Sequence, residues 1–142
     1  MLRSRVVIAG LVSVAFGLGL YLGGVRADAQ GNARVLEVRK YTANAGKLDS
    51  LLKRMREGET QLFNKHGMKG VFYSVAADAP ESQSIYLYVL AHESREAAKK
   101  SWDDFRADPA WKSLREASEV NGPLVGKVES TFVNPTDFSP RH

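Results

Sequence analysis

An α+β domain with an antiparallel sheet, its elements running β-α-β-β-α-β, is predicted by three features of the sequence. Four β-rich segments recur near residues 34, 68, 84 and 124; one long amphipathic stripe separates the first from the second; and a compact aromatic corner, SWDDFRADPAW, lies between the third and the fourth.

The first strand is RVLEVRKYT, alternating in side-chain character and rich in Val, Tyr and Thr. Asn44-Ala45-Gly46 breaks it. Leu48, Leu51, Leu52, Met55, Leu62, Phe63 and His66 then fall on one helical stripe, which continues through Gly58 and is placed to end at Gly67. MKGVFYSVAA reads as the second strand, DAPESQ as a polar turn and SIYLYVLAH as the third strand, so these two form a hairpin. Ser94 is placed to cap a helix running to about Arg106, and Asp108-Pro109 to start a second short one. Asn121-Gly122-Pro123 stops that helix, LVGKVESTFV is the last strand, and NPTDFSPRH is an extended tail.

Spacing also accounts for the aromatic corner. Ala98, Trp102 and Phe105 lie four and three apart and share a stripe, while Trp111 and Leu114 begin the stripe of the next helix. Burying Trp102 and Phe105 contributes on the order of 2 to 3 kcal/mol each. Asp103 and Asp104 fall on the solvent side, and Asp108 serves as a cap, so the three aspartates do not form a calcium loop.

The chain has 142 residues, 44% of them hydrophobic and 25% charged, which suits one modest globular domain. With no cysteine, disulfides, thiolate catalysis and Cys-bound metals are excluded. The 20 basic and 16 acidic residues become 17 and 15 once the first 29 positions are set aside, and no Lys/Arg run follows a phosphate backbone, so nucleic acid is not an expected partner.

Residues 1–29 read as a leader. Arg3 and Arg5 precede an uncharged run from Val6 to Val25, and Ala27-Asp28-Ala29 offers the small residues of a cleavage site. Export to the periplasm or medium is expected, with residues 30–142 as the mature domain. The same run, 20 residues long, is also long enough to anchor the chain in a membrane, although its five glycines weaken that reading. An N-terminal mass starting at Gln30 marks cleavage, and one starting at Met1 marks the anchor.

The element order is the split βαβ, or ferredoxin-like, arrangement, whose helices cover one sheet face. By side-chain parity Leu36, Val38, Ile85, Leu87, Val89 and Ala91 are assigned to the helix side. The opposite face then carries Val35, Glu37, Arg39, Tyr41, Tyr86, Tyr88, Leu90 and His92, with Val125, Lys127, Glu129 and Thr131 on one side of the last strand. An open face of that kind is expected to pair with a second copy, giving a homodimeric α/β barrel lined by polar groups.

The stretches LEVRKYTANAGKLDSLL, FNKHGM, YVLAHESREAAKKSWDDFRADPAW and VESTFVNPTDFSP, in order over about residues 34 to 140, resemble the NIPSNAP family. That resemblance implies a homodimeric ferredoxin-like barrel and no defined reaction. Family members are associated with membrane traffic, mitochondrial quality control and scaffolding, but the leader here is of a bacterial export type.

The candidate ligand-binding residues are Glu37, Arg39, Tyr41, Tyr86, Tyr88, His92, Lys127 and Glu129, as the lining of the barrel. Arg39 supplies a planar donor fork and Tyr41 a hydroxyl for an anionic or carbonyl-bearing molecule, while an ion pair with Lys127 or Glu129 is the structural reading of the same charges. His66 is expected to bond the last carbonyls of its helix, and His66, His92 and His142 lack the spacing of a metal site. No catalytic residue, metal or cofactor is assigned. Two classes of function follow: an exported homodimeric binding module whose barrel holds a small ligand, or a cofactor-independent oxygenase or isomerase working through Arg39, Tyr41 and His92.

Overall fold

The computed structural model describes residues 35–140. Strand β1 (Val35–Ala43) leads through a turn at Gly46 into α1 (Leu48–Arg54), a π-helical turn (Met55–Glu59) and α2 (Thr60–Lys65). Next come β2 (Lys69–Val75), a short 3-10 turn (Glu81–Gln83) and β3 (Ile85–His92), then α3 (Arg95–Ala107), α4 (Pro109–Ser118) and β4 (Val125–Val133). The sheet order is β2-β3-β1-β4, with every neighbouring pair antiparallel. This is the β-α-β-β-α-β topology expected from the sequence, and the fold is α+β and ferredoxin-like.

The helix ends follow local chemistry. Ser94 Oγ accepts from the Ala97 N–H at 3.0 Å, capping α3. Asp108 Oδ1 accepts from the Ala110 N–H at 2.8 Å, and Pro109 opens α4 with the φ that a first helical residue needs. The stripe from Leu48 ends at Gly67, where φ is +75°.

The stripe continues through Gly58 as expected, but in a π turn, where a Cβ would come within 2.9 Å of the Leu114 side chain, so glycine lets α4 lie close. One expectation about the stripe is corrected. The His66 side chain bonds the Asp108 carboxylate at 2.8 Å rather than a helix carbonyl, because the α3–α4 corner puts that carboxylate beside it.

The sheet faces are reversed relative to the parity assignment. Val35, Glu37, Tyr41, Tyr86, Tyr88, Leu90 and His92 are buried beneath the helices, while Leu36, Val38, Ile85, Leu87, Val89 and Ala91 are half-buried on the open face. The reason is size. The helices offer Phe63, Trp102 and Phe105 to the sheet, and Phe63 stacks on Tyr88 at 5.8 Å while meeting Trp102 and Phe105 edge-on or tilted. Such a layer packs against large tyrosines, whereas small aliphatics would leave voids. The open face also exposes Val71, Phe72 and Val133, and the tail residues Pro135–Pro140 run beside Leu36, Val71 and Ala91 at one end of it.

Candidate functional site

The centre of the helix-side layer is the Glu37 carboxylate, 2% exposed. It accepts hydrogen bonds from the Arg39 guanidinium (2.6 Å), His92 Nε2 (2.9 Å), Trp102 Nε1 (2.7 Å) and Ser130 Oγ (2.7 Å). Strand alternation puts Glu37 and Arg39 on one face, register brings Ser130 from β4, and Trp102 descends from α3. Burial alone would raise the Glu37 pKa, but the bonds from His92, Ser130 and Trp102 and the charge of Arg39 prevail and lower it to about 2.

Glu37 in turn fixes Arg39. The guanidinium lies 4.2 Å from the Trp102 ring centroid, its Nε donates to Tyr88 Oη at 3.0 Å, and Tyr88 Oη donates to Tyr41 Oη at 2.7 Å. Burial disfavours the Arg39 charge, but Tyr88, Tyr41 and Glu37 around it more than compensate, so the group stays cationic. Burial, reinforced by Tyr41, pushes the Tyr88 phenol up, and it stays neutral.

Arg39 keeps 15% of its side chain exposed, and that part borders a cavity of about 310 Å³ between β1, β4 and the α3–α4 corner. Tyr41, Trp102 and Trp111 form its aromatic walls, and Arg54, Arg106 and Arg115 join Arg39 against Glu59 and Glu119. The π turn shapes this wall. In a regular helix Arg54 and Glu59, five residues apart, would point about 140° away from each other. Here the Thr60 N–H reaches back five residues to the Met55 carbonyl, both side chains turn inward, and Arg54 Nε donates to Glu59 at 2.8 Å. Burial pushes the Glu59 carboxyl up against the pull of Arg54. Arg54 also bonds Glu119 at 3.0 Å and lies 5.0 Å from the Trp111 ring centroid.

Residues 36–140 match the NIPSNAP family. The chain belongs to that family. The NIPSNAP domain resembles solved structures of the same family: an uncharacterized NIPSNAP-like domain protein from Burkholderia xenovorans is 14% identical, with a TM-score of 0.67 over 78% of this chain and 91% of that one. Two NIPSNAP family proteins from Agrobacterium tumefaciens are 21% and 23% identical, each with a TM-score of 0.64 over 75% of this chain, and over 92% and 89% of their own. At such identities the likeness establishes the fold. No curated protein matches the chain.

Of the eight sequence-predicted residues, this NIPSNAP domain gathers Glu37, Arg39, Tyr41, Tyr88 and His92 into one network beneath the helices. Tyr86 faces the same way but borders a different cavity, toward β2. Lys127 and Glu129 do not join the network, although Lys127 borders the Arg39 cavity. They bond each other at 3.1 Å, and Glu129 also pairs with Lys40 at 3.5 Å, at the open-face edge of β4. Sequence reasoning missed Trp102 as a polar partner, Ser130, and the Arg54–Glu59 pair. A spacing of five carries no helical signal, and the Trp102 indole N–H was hidden by an apolar reading of the stripe.

The acid range tests the network. Because Glu37 titrates lower when folded than its ordinary 4.5, its contribution to stability is present above about pH 4.5 and is lost as pH falls toward 2. In denaturant titrations the wild type is expected to exceed Glu37→Gln by about 2 kcal/mol near neutrality, with the two curves converging as pH falls from 5 to 2.5. A gap that is independent of pH would contradict the assignment.

Proposed function

We propose that this NIPSNAP protein is an exported, homodimeric binding module that takes a small planar anion, such as an aromatic carboxylate, beneath the helix layer. The observation that carries the reading is Arg39: a cation anchored by Glu37, over the Trp102 ring, at the border of an aromatic-walled cavity. A planar fork suits a carboxylate in two-point contact, and the Tyr41 hydroxyl beside it can donate a further bond. A volume of about 310 Å³ matches a molecule of one or two rings. Glu37 and His92 do not border the cavity, and their role in this reading is to hold Arg39.

The leader at residues 1–29, which lies outside the described residues, supports export by its positive start and uncharged run. The open face supports pairing with a second copy: it presents Leu36, Val38, Phe72, Leu87 and Val89 on a sheet with no covering layer among the described residues. The barrel proposed here therefore has an aliphatic interior, and the ligand lies outside it, under each protomer's own helices.

2-Naphthoate is expected to bind saturably, more weakly in high salt, and at least about 10-fold more weakly in Arg39→Lys, which keeps the charge but loses the fork and the stacking. Equal affinity in the two proteins would refute the site. Sedimentation equilibrium is expected to give a dimer that Leu87→Glu dissociates, whereas a stable wild-type monomer would refute the pairing.

A further inference from the structure

The other flank of the helix layer holds a second and larger cavity, of about 580 Å³, between the π turn and the edge strand β2. Its apolar walls are Leu52, Met55, Val75 and the rings of Tyr73 and Tyr86, with Thr60, Asn64 and Ser74 also bordering it. Two backbone irregularities frame it: the π turn on the helix side and, on the strand side, a register shift between Gly70 and Phe72. The Tyr73 phenol folds back over Gly70, where an added Cβ would overlap the ring, so a larger residue there would have to displace the phenol.

The tyrosines of the layer divide into two kinds. Tyr88 donates to Tyr41, and both hydroxyls accept from Arg39, so these two are tied into the Arg39 network. Tyr73 and Tyr86 bond to no other group among the described residues, yet both border the cavity, Tyr86 with a side chain otherwise buried. Burial raises both phenols, with Glu59 adding to the rise, so they stay protonated and able to donate. Charge selects the ligand further. Of the described residues that border the cavity only Arg56, exposed at the rim, carries a charge, so the interior offers no partner to a buried ion.

We propose that this cavity is a second binding site, for a flat uncharged molecule whose carbonyl oxygen accepts from the Tyr73 and Tyr86 hydroxyls. It differs in chemistry from the Arg39 cavity, which four arginines and two glutamates border. The aromatic row Tyr86, Tyr88, Tyr41, with ring centroids 5.2 Å apart at each step, separates the two.

Coumarin, a neutral fluorescent lactone, is the probe. In a titration of the purified protein it is expected to bind saturably, without regard to salt and unaffected by Arg39→Lys. Binding should weaken about 10-fold in the Tyr73→Phe/Tyr86→Phe double variant, which keeps the rings and removes only the hydroxyls. Val75→Trp, at a half-exposed wall position, is expected to abolish binding by filling the space, with an unchanged circular dichroism spectrum and melting curve as evidence of an intact fold. No saturable binding up to millimolar coumarin, unchanged affinity in the double variant, or loss through Arg39→Lys would each overturn the proposal. None of these results depends on whether 2-naphthoate binds at Arg39.

Discussion

A carboxylate taken out of water must be met by donors from every side, and Glu37 is met from four elements: Arg39 on its own strand, His92 on β3, Ser130 on β4 and Trp102 on α3. Each bond also fixes geometry. The pair with Arg39 turns the guanidinium toward Trp102, the bond from the indole sets how deeply α3 lies on the sheet, and the bond from Ser130 ties β4 to β1. Removing one donor leaves a buried charge incompletely satisfied, so the network acts as a unit. His92 Nδ1 is the one buried side-chain atom without a partner among the described residues, which leaves that ring held through Nε2 alone.

Much of the fold was legible because its signals are local. Ser94 and Asp108-Pro109 are capping signals whose chemistry needs only neighbouring backbone, and the alternation of β3 names a strand whichever face is buried. The choice of face was not local. It depended on what the helices bring to the sheet, and reading aliphatics as core and tyrosines as surface failed because Phe63, Trp102 and Phe105 require large partners. The π turn was illegible for a similar reason: Gly58 in MREGE marks a weak point in the helix but not an extra residue per turn, and the gain that stabilises the turn is the buried contact of Arg54 with Glu59 and Glu119. The corner SWDDFRADPAW was legible as a corner, while its part in the site was not, because an indole counts as apolar on a helical stripe although its N–H needs a partner when buried.

The reversal relocates the chemistry. A layer expected to face a partner subunit lies instead beneath the chain's own helices, with a cavity on either flank, one bordered by four arginines and one by unpaired phenols. The face left open is aliphatic, a surface suited to contact rather than to ligand recognition. Lys127 and Glu129, outside the Glu37 network, become part of a small ion-pair group with Lys40 at its margin, from which Lys127 still borders the Arg39 cavity.

The indole N–H of Trp102 is the most direct probe of the placement of Glu37 beneath the helices. In two-dimensional ¹H–¹⁵N spectra of the folded protein, hydrogen exchange at this position is expected to be strongly protected, and the protection should fall in Glu37→Gln near neutral pH. A Trp102 indole proton that exchanges as fast as an exposed one, or whose protection is indifferent to Glu37, would contradict the account.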